Sequence, residues 1–238
     1  MQPRVTKLLK RTLLFALLAL CACARPNPSG DLEALYRRMH PSVVFLTMKA
    51  PSDDPKMHGK IDDAYGSAFV VASGDWGTRV ITAKHVIDGA HNLRAHIGDG
   101  ARGQTVRIVA QDDREDLALL EVSAVKNARA VELGDSHAVV PGEAVGLLGY
   151  PIPDAFIDEG LGTTASFYSG HVASLRDVGS PDETIELDLP VIPGESGGPV
   201  FTLDGKVIGM AESRFEEEHA IGFATPIDII KKFLLRER

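Results

Sequence analysis

Over most of the chain, apolar and polar residues alternate in short runs bounded by Gly, Pro, Asn and Asp. This is the period-two pattern of strands with one buried face. A first set of such runs covers 42–48, 66–72, 78–82, 93–97, 105–110 and 117–122. A second set covers 144–149, 166–174, 184–189, 198–202, 206–211 and 220–224. Between them, 123–143 is polar and carries the turn signals Gly134-Asp135-Ser136 and Pro141-Gly142, so a boundary is placed there. Leu203-Asp204-Gly205-Lys206 has the Asp-Gly signature of a tight hairpin. Two stretches break the alternation. Leu32, Leu35, Tyr36 and Met39 recur at helical spacing, with Asp31 as a candidate N-cap. Near the C-terminus, Pro226 precedes Ile227, Ile229, Ile230, Phe233 and Leu234, a helix with Pro at its first position. Many short strands with turns between them, and no helices interleaved, argue an all-β fold. The strands would form two antiparallel β-barrels or sandwiches, with a short N-terminal helix and a C-terminal helix.

The first 22 residues stand apart. Arg4, Lys7, Lys10 and Arg11 precede the apolar run 12–20, which is too short to span a bilayer as a mature helix. This reads as an export signal. Leu20-Cys21-Ala22-Cys23 resembles a bacterial lipoprotein box, in which Cys23 is lipidated and becomes the new N-terminus. Ordinary cleavage after Ala22-Cys23-Ala24 is the competing reading, which would give a secreted protein. Residues 1–22 are therefore expected to be a signal peptide, 23–30 a flexible tether, and 31–238 the folded domain. The domain would comprise a first barrel over about 41–133, a second over about 143–225 and a helix over 226–237.

With the leader removed, 21 basic residues face 33 acidic ones, a formal charge of −12. That balance excludes a nucleic-acid partner, which needs a basic footprint. Contact with a membrane is expected only through a lipid on Cys23. Both cysteines, Cys21 and Cys23, lie at the end of the leader, so the folded part has no disulfide, thiolate metal site or cysteine nucleophile. No metal-ligand cluster or phosphate loop is present, and no cofactor is expected.

The chemistry centres on Ile192-Pro193-Gly194-Glu195-Ser196-Gly197-Gly198-Pro199. Glycines on both sides of a serine allow a tight turn that brings backbone N–H groups beside its hydroxyl. A base is offered by His85, where the buried run 79–83 meets a polar switch. An orienting acid is offered by Asp116, at the mouth of the apolar run Leu117-Ala118-Leu119-Leu120. The other histidines sit in polar loops or on alternating strands. Gly194-Glu195-Ser196-Gly197-Gly198 also fits a nucleophile elbow. That fold needs its acid and histidine after the serine, however, and His219 is the sole later histidine.

Thr82-Ala83-Lys84-His85-Val86, Asp116-Leu117-Ala118-Leu119-Leu120 and Pro193-Gly194-Glu195-Ser196-Gly197-Gly198-Pro199 together resemble the trypsin-like serine proteases, in particular the HtrA/DegP-type branch. The likeness extends over roughly residues 40–230 and includes Gly66-Ser67-Ala68-Phe69-Val70-Val71 and Gly170-His171-Val172-Ala173-Ser174. It implies a chymotrypsin-like pair of six-stranded antiparallel barrels and an endopeptidase of the cell envelope acting in protein quality control or processing. It also implies a His85–Asp116–Ser196 triad, with the N–H groups of Gly194 and Ser196 as oxyanion hole. Substrates would be proteins or peptides. The pocket for the residue before the cut would draw on Pro190, Glu195, Glu212, Ser213, Arg214 and Gly222. Homo-oligomers form in this group through the N-terminal segment. Three departures stand out: no PDZ domain is expected after the terminal helix, Glu195 stands where the group tends to have Asn, and Lys84 where Ala or Asn is usual. The alternative function is a catalytically silent protease fold kept as a binding scaffold.

Overall fold

The computed structural model describes residues 28–52, 60–98, 100–177, 183–212 and 221–237. The leader, Cys23, Ser213 and Arg214 lie outside the described residues. The chain divides into two units, Met1–Ala34 and Leu35–Arg238. In the first, residues 28–34 begin helix α1 (Pro28–Met39); Pro28 opens it, ahead of the expected cap at Asp31. All further elements belong to the second unit.

Seven strands build the first sheet: β1 (Val43–Pro51), β2 (Ile61–Gly74), β3 (Gly77–Ala83), β4 (His91–Ile97), β5 (Gln104–Thr105), β6 (Arg107–Asp112) and β7 (Leu117–Val122). Their order is β5-β4-β1-β2-β3-β7-β6, with every pair antiparallel. β3 and β7 are buried almost throughout and β1 over its first half, and Val44, Leu46, Ala68, Val80, Ala118 and Leu120 form one fully buried cluster with their neighbours. The second sheet contains β8 (Glu132–Leu133), β9 (Ala144–Gly149), β10 (Ser166–Arg176), β11 (Thr184–Leu187), β12 (Pro199–Thr202), β13 (Lys206–Glu212) and β14 (Gly222–Pro226). Its order is β12-β9-β10-β11-β14-β13, and β12 pairs again with β13, so these six strands close on themselves. Val145, Leu147, Leu187, Val200 and Ala224 are fully buried inside that ring.

The expectation of two six-stranded antiparallel barrels is thus corrected. One barrel closes; the other sheet is an open half-barrel. Among the described residues the edge strands β5 and β6 are not paired with each other. β5 is only two residues long, and positive φ at Gly98 and Gly100 turns the chain just before it. β6 is largely exposed, including Ile108 at 45%, so it lacks the inward face a closing strand would bury. The second sheet also has a parallel pair, because β8 runs beside β13 outside the ring.

Helix α2 (Pro153–Asp158) follows β9 in a stretch rich in Pro and Gly. Helix α3 (Ile227–Arg236) begins just after Pro226 and buries Ile227, Ile230 and Phe233. Asp228 in its first turn accepts hydrogen bonds from the Ser136 N–H and hydroxyl, both at 2.7 Å. Burial opposes the charge of Asp228, but these bonds and the Lys231 ammonium outweigh it and hold the carboxyl down at about 2.

Phe201 is completely buried and Trp76 is 59% exposed. Urea denaturation of Phe201→Ala should show a loss of about 3–5 kcal/mol. Trp76→Ala should stay within about 0.5 kcal/mol of the parent.

Candidate active site

The loop between β11 and β12 is fixed by its glycines and by one serine from the other sheet. Gly197 has φ +89°, and a Cβ there would stand 2.1 Å from the carbonyl oxygen of Ser67. Only glycine lets the loop approach β2 so closely. Gly194 has φ +94°, and a Cβ there would meet the Tyr150 carbonyl at 2.3 Å. The Ser67 N–H donates to the Ser196 carbonyl (3.1 Å), and the Ser67 hydroxyl donates to the Gly194 carbonyl (2.7 Å). The same hydroxyl accepts the Tyr150 N–H at 2.9 Å. The Ser67 carbonyl in turn accepts the Thr82 hydroxyl at 2.7 Å. Further bonds run from Gly197 N–H to Ala211 O (2.9 Å) and from Ile152 N–H to Pro193 O (2.8 Å). Peptides are trans, so the Gly194 N–H points to the side opposite Ile152.

His85 sits in the 3-10 turn Lys84–Ile87 that ends β3. Its backbone N–H donates to Asp116 Oδ1 at 2.8 Å, and its ring Nδ1 lies 2.5 Å from Oδ2. A carboxylate that close accepts a hydrogen bond from Nδ1–H, which leaves the lone pair of the neutral ring on Nε2. Asp116 holds this position with φ +51°, a left-handed conformation that Asp tolerates better than most residues. Its carbonyl accepts the Lys84 N–H at 2.9 Å. The imidazole pKa is raised above its ordinary value, first by the Asp116 hydrogen bond, with burial opposing and the charges of Asp116, Glu212 and Asp88 adding. The Lys84 ammonium bridges Asp88 (2.7 Å) and Asp113 (3.1 Å), tying the His85 turn to the loop that carries Asp116.

A cleft of about 580 Å³ is lined by His85, Val86, Asp88, Pro193, Gly194 and Ser196, and by Pro51 and Tyr65 across from them. His85, Ser196 and Gly194 are thus brought together, with Asp116 behind His85. Of the expected specificity residues, Gly222 packs against the segment Leu189–Val191 that contains Pro190. Glu212 pairs with Phe223 on the neighbouring strand and reaches His85 through its charge. Glu195 turns inward and is fully buried. Its Oε2 accepts the Ile192 N–H at 2.9 Å, while Oε1 has no partner among the described residues. Burial pushes this carboxyl up to about 7, against the lowering effect of the Ile192 bond.

Two residues that hold the site were given no role by the sequence reading. Ser67 and Thr82 are both fully buried polar residues within apolar strands. That contrast was the available signal, since a buried hydroxyl needs a partner.

The family profile described as "Trypsin-like peptidase domain" matches residues 66–210. The chain is 27% identical over 221 residues to the serine protease Do-like HtrA of Bacillus subtilis, covering 87% of this chain and 48% of that protein. It is 32% identical over 180 residues to a DegP-like periplasmic serine endoprotease of Halomonas elongata, covering 72% and 35%. It is also 32% identical over 201 residues to the serine protease HTRA1 of Xenopus tropicalis, covering 84% and 41%. The chain therefore spans less than half the length of these relatives. A solved structure titled "HtrA-type protease AlgW with tripeptide" shares the fold with a TM-score of 0.67 and 24% identity, over 84% of this chain and 61% of that one.

Ser67→Ala removes the partner of both the Gly194 carbonyl and the Tyr150 N–H. Chemical denaturation should register a loss of about 1–3 kcal/mol.

Proposed function

We propose that this chain, a member of the trypsin-like peptidase domain family and of its HtrA/DegP type, cleaves peptide bonds through an acyl-enzyme formed on Ser196. The observation that carries this reading is the doubly hydrogen-bonded His85–Asp116 pair facing the same cleft as Ser196. Asp116 fixes the Nδ1–H tautomer, so Nε2 accepts the Ser196 proton as the oxygen attacks the scissile carbonyl. The carbonyl oxygen becomes an oxyanion held by the N–H groups of Gly194 and Ser196. The position of the Pro193 carbonyl, bonded to Ile152, supports the Gly194 N–H facing inward. One such donor contributes about 3 kcal/mol of barrier lowering. The imidazolium then gives its proton to the leaving amine. Water attacks the acyl-enzyme by the same relay and restores Ser196.

Proteins and peptides are the substrates. The pocket for the residue before the cut draws on Pro190, Glu212 and Gly222; Ser213 and Arg214, expected to contribute from the sequence, lie outside the described residues. The DegP-like relatives named as periplasmic support an exported location in the bacterial envelope. The basic, apolar leader supports the same location, with attachment through a lipid on Cys23. Processing or quality control of envelope proteins by a homo-oligomer is the corresponding cellular role.

Fluorescent-casein cleavage and labelling by a serine-reactive fluorophosphonate should both vanish in Ser196→Ala, with kcat falling by about a factor of 10^6. Retained cleavage would reject Ser196 as nucleophile. A well-folded parent that neither labels nor cleaves would point instead to a binding scaffold.

The pH dependence follows from the raised imidazole pKa. Only neutral His85 can accept the Ser196 proton, so kcat/KM should drop as pH falls through that raised value. Asp116→Asn removes the main cause of the rise. Its acid limb should move to lower pH while kcat falls by about 10^4, measured in buffers of constant ionic strength.

A further inference from the structure

Glu195 precedes Ser196 and is absent from the proton relay, yet it is among the most deeply buried side chains of the loop. It is 0% exposed, and among the described residues Oε1 has no hydrogen-bond partner. Oε2 accepts the Ile192 N–H, which folds the 192–195 turn together with the bond from Glu195 N–H to Ile192 O at 3.0 Å. Gly149 of β9 backs directly onto it; a Cβ there would stand 3.1 Å from the Glu195 Cα. The Tyr168 phenol of β10 is the titratable group that feels its charge. Among the described residues no cation pairs with Glu195: only burial and the Ile192 bond act on its carboxyl.

A carboxylate can be charged in such a place only at a high desolvation cost, because among the described residues the Ile192 N–H is the one donor that takes the place of water. A neutral carboxyl occupies it far more easily. Once ionised, the side chain is driven toward solvent. It cannot leave without turning the peptides on either side, which carry the Gly194 carbonyl and the Ser196 N–H. The Gly194 carbonyl is the group that Ser67 clamps.

We propose that Glu195 is a positioning residue that works as the uncharged acid, holding the Ser196 loop in its catalytic shape and releasing it when the carboxyl ionises. This rests on Ser196 being the nucleophile. It gives the enzyme an alkaline limit that the proton relay alone does not require, because a neutral His85 only becomes more abundant as pH rises. Burial places the Glu195 midpoint near neutrality, at about 7, so that limit falls within a physiological range. The sign is consistent with the folded loop binding the proton more tightly than open chain does. The favourable arrangement is fully present at low pH and is lost as pH rises through the folded-state value.

The test is kcat/KM for fluorescent casein, and the rate of fluorophosphonate labelling, from pH 5.5 to 9.5, for the parent and Glu195→Gln. Glutamine keeps the shape and the acceptor for Ile192 N–H but cannot ionise. The parent should rise with His85 ionisation and then fall by roughly tenfold per pH unit on the alkaline side. Glu195→Gln should keep the rise and hold its plateau to pH 9. If the glutamine variant does not fold, Glu195→Met, of similar length and uncharged, should show the same plateau at a lower height. The proposal is overturned if the parent has no alkaline limb while circular dichroism shows it folded. It is equally overturned if both variants keep that limb. Cleavage that persists in Ser196→Ala removes the nucleophile assignment, whereas Ser196-dependent cleavage with an unchanged alkaline limb removes only the role of Glu195.

Discussion

The site depends on Ser67 more than on any other residue outside the reactive groups. One residue of β2 uses its N–H, hydroxyl and carbonyl to reach the Ser196 loop, the chain after β9 and the Thr82 hydroxyl of β3. Serine suits this place because its hydroxyl can donate and accept at once. The carbonyl lies so near the loop that only a glycine, Gly197, fits opposite it. The distance between the two sheets at the site is therefore set by backbone-to-backbone contact, without long side chains whose rotamers could vary. The proposed nucleophile and base, carried on different sheets, need that kind of rigidity, since displacements of an ångström are costly to catalysis.

The strands that form the sheet interiors were legible because β-branched and apolar residues mark them directly. Their closure was not. Period-two alternation tells which face of a strand is buried but not which strand becomes its neighbour. β5 and β8 have two residues each, too few to carry any pattern, yet β5 ends one sheet and β8 supplies the parallel pair of the other. Helix α2 is absent from the elements that the sequence pattern predicts, because prolines and glycines surround its six residues. The strand pattern and the resemblance both implied closure of the first sheet, and the unpaired edges β5 and β6, the latter with no buried face, withdraw it.

At the site, His85, Asp116 and Ser196 stood out because each combines an unusual residue with a boundary between apolar and polar chain. The positive φ of Asp116 could not be read from sequence; it arises from the need to turn both carboxylate oxygens toward one residue, His85. Ser67 and Thr82 were overlooked because small hydroxyl residues are ordinary in strands, and their importance lies in partners 83 and 127 residues away for the Ser67 hydroxyl and in the neighbouring strand for Thr82. Glu195 looked like a loop residue that could face substrate. Its inward turn follows from the 192–195 backbone, which closes on its own carboxyl.

The open first sheet has one more consequence. A closed ring leaves no strand with idle backbone donors and acceptors, whereas β5 and β6 each present a rim that another extended chain could prolong. The molecule must make that rim unattractive. β5 is kept to two residues. β6 starts at Arg107, ion-paired to Glu121 at 2.6 Å, and ends at Asp112, held by Arg236 of helix α3 at 2.6 Å. A charged residue at each end of a short strand makes it a poor template for edge-to-edge growth. The C-terminal helix, remote from the chemistry in sequence, thereby guards the solubility of the half of the fold that carries His85 and Asp116.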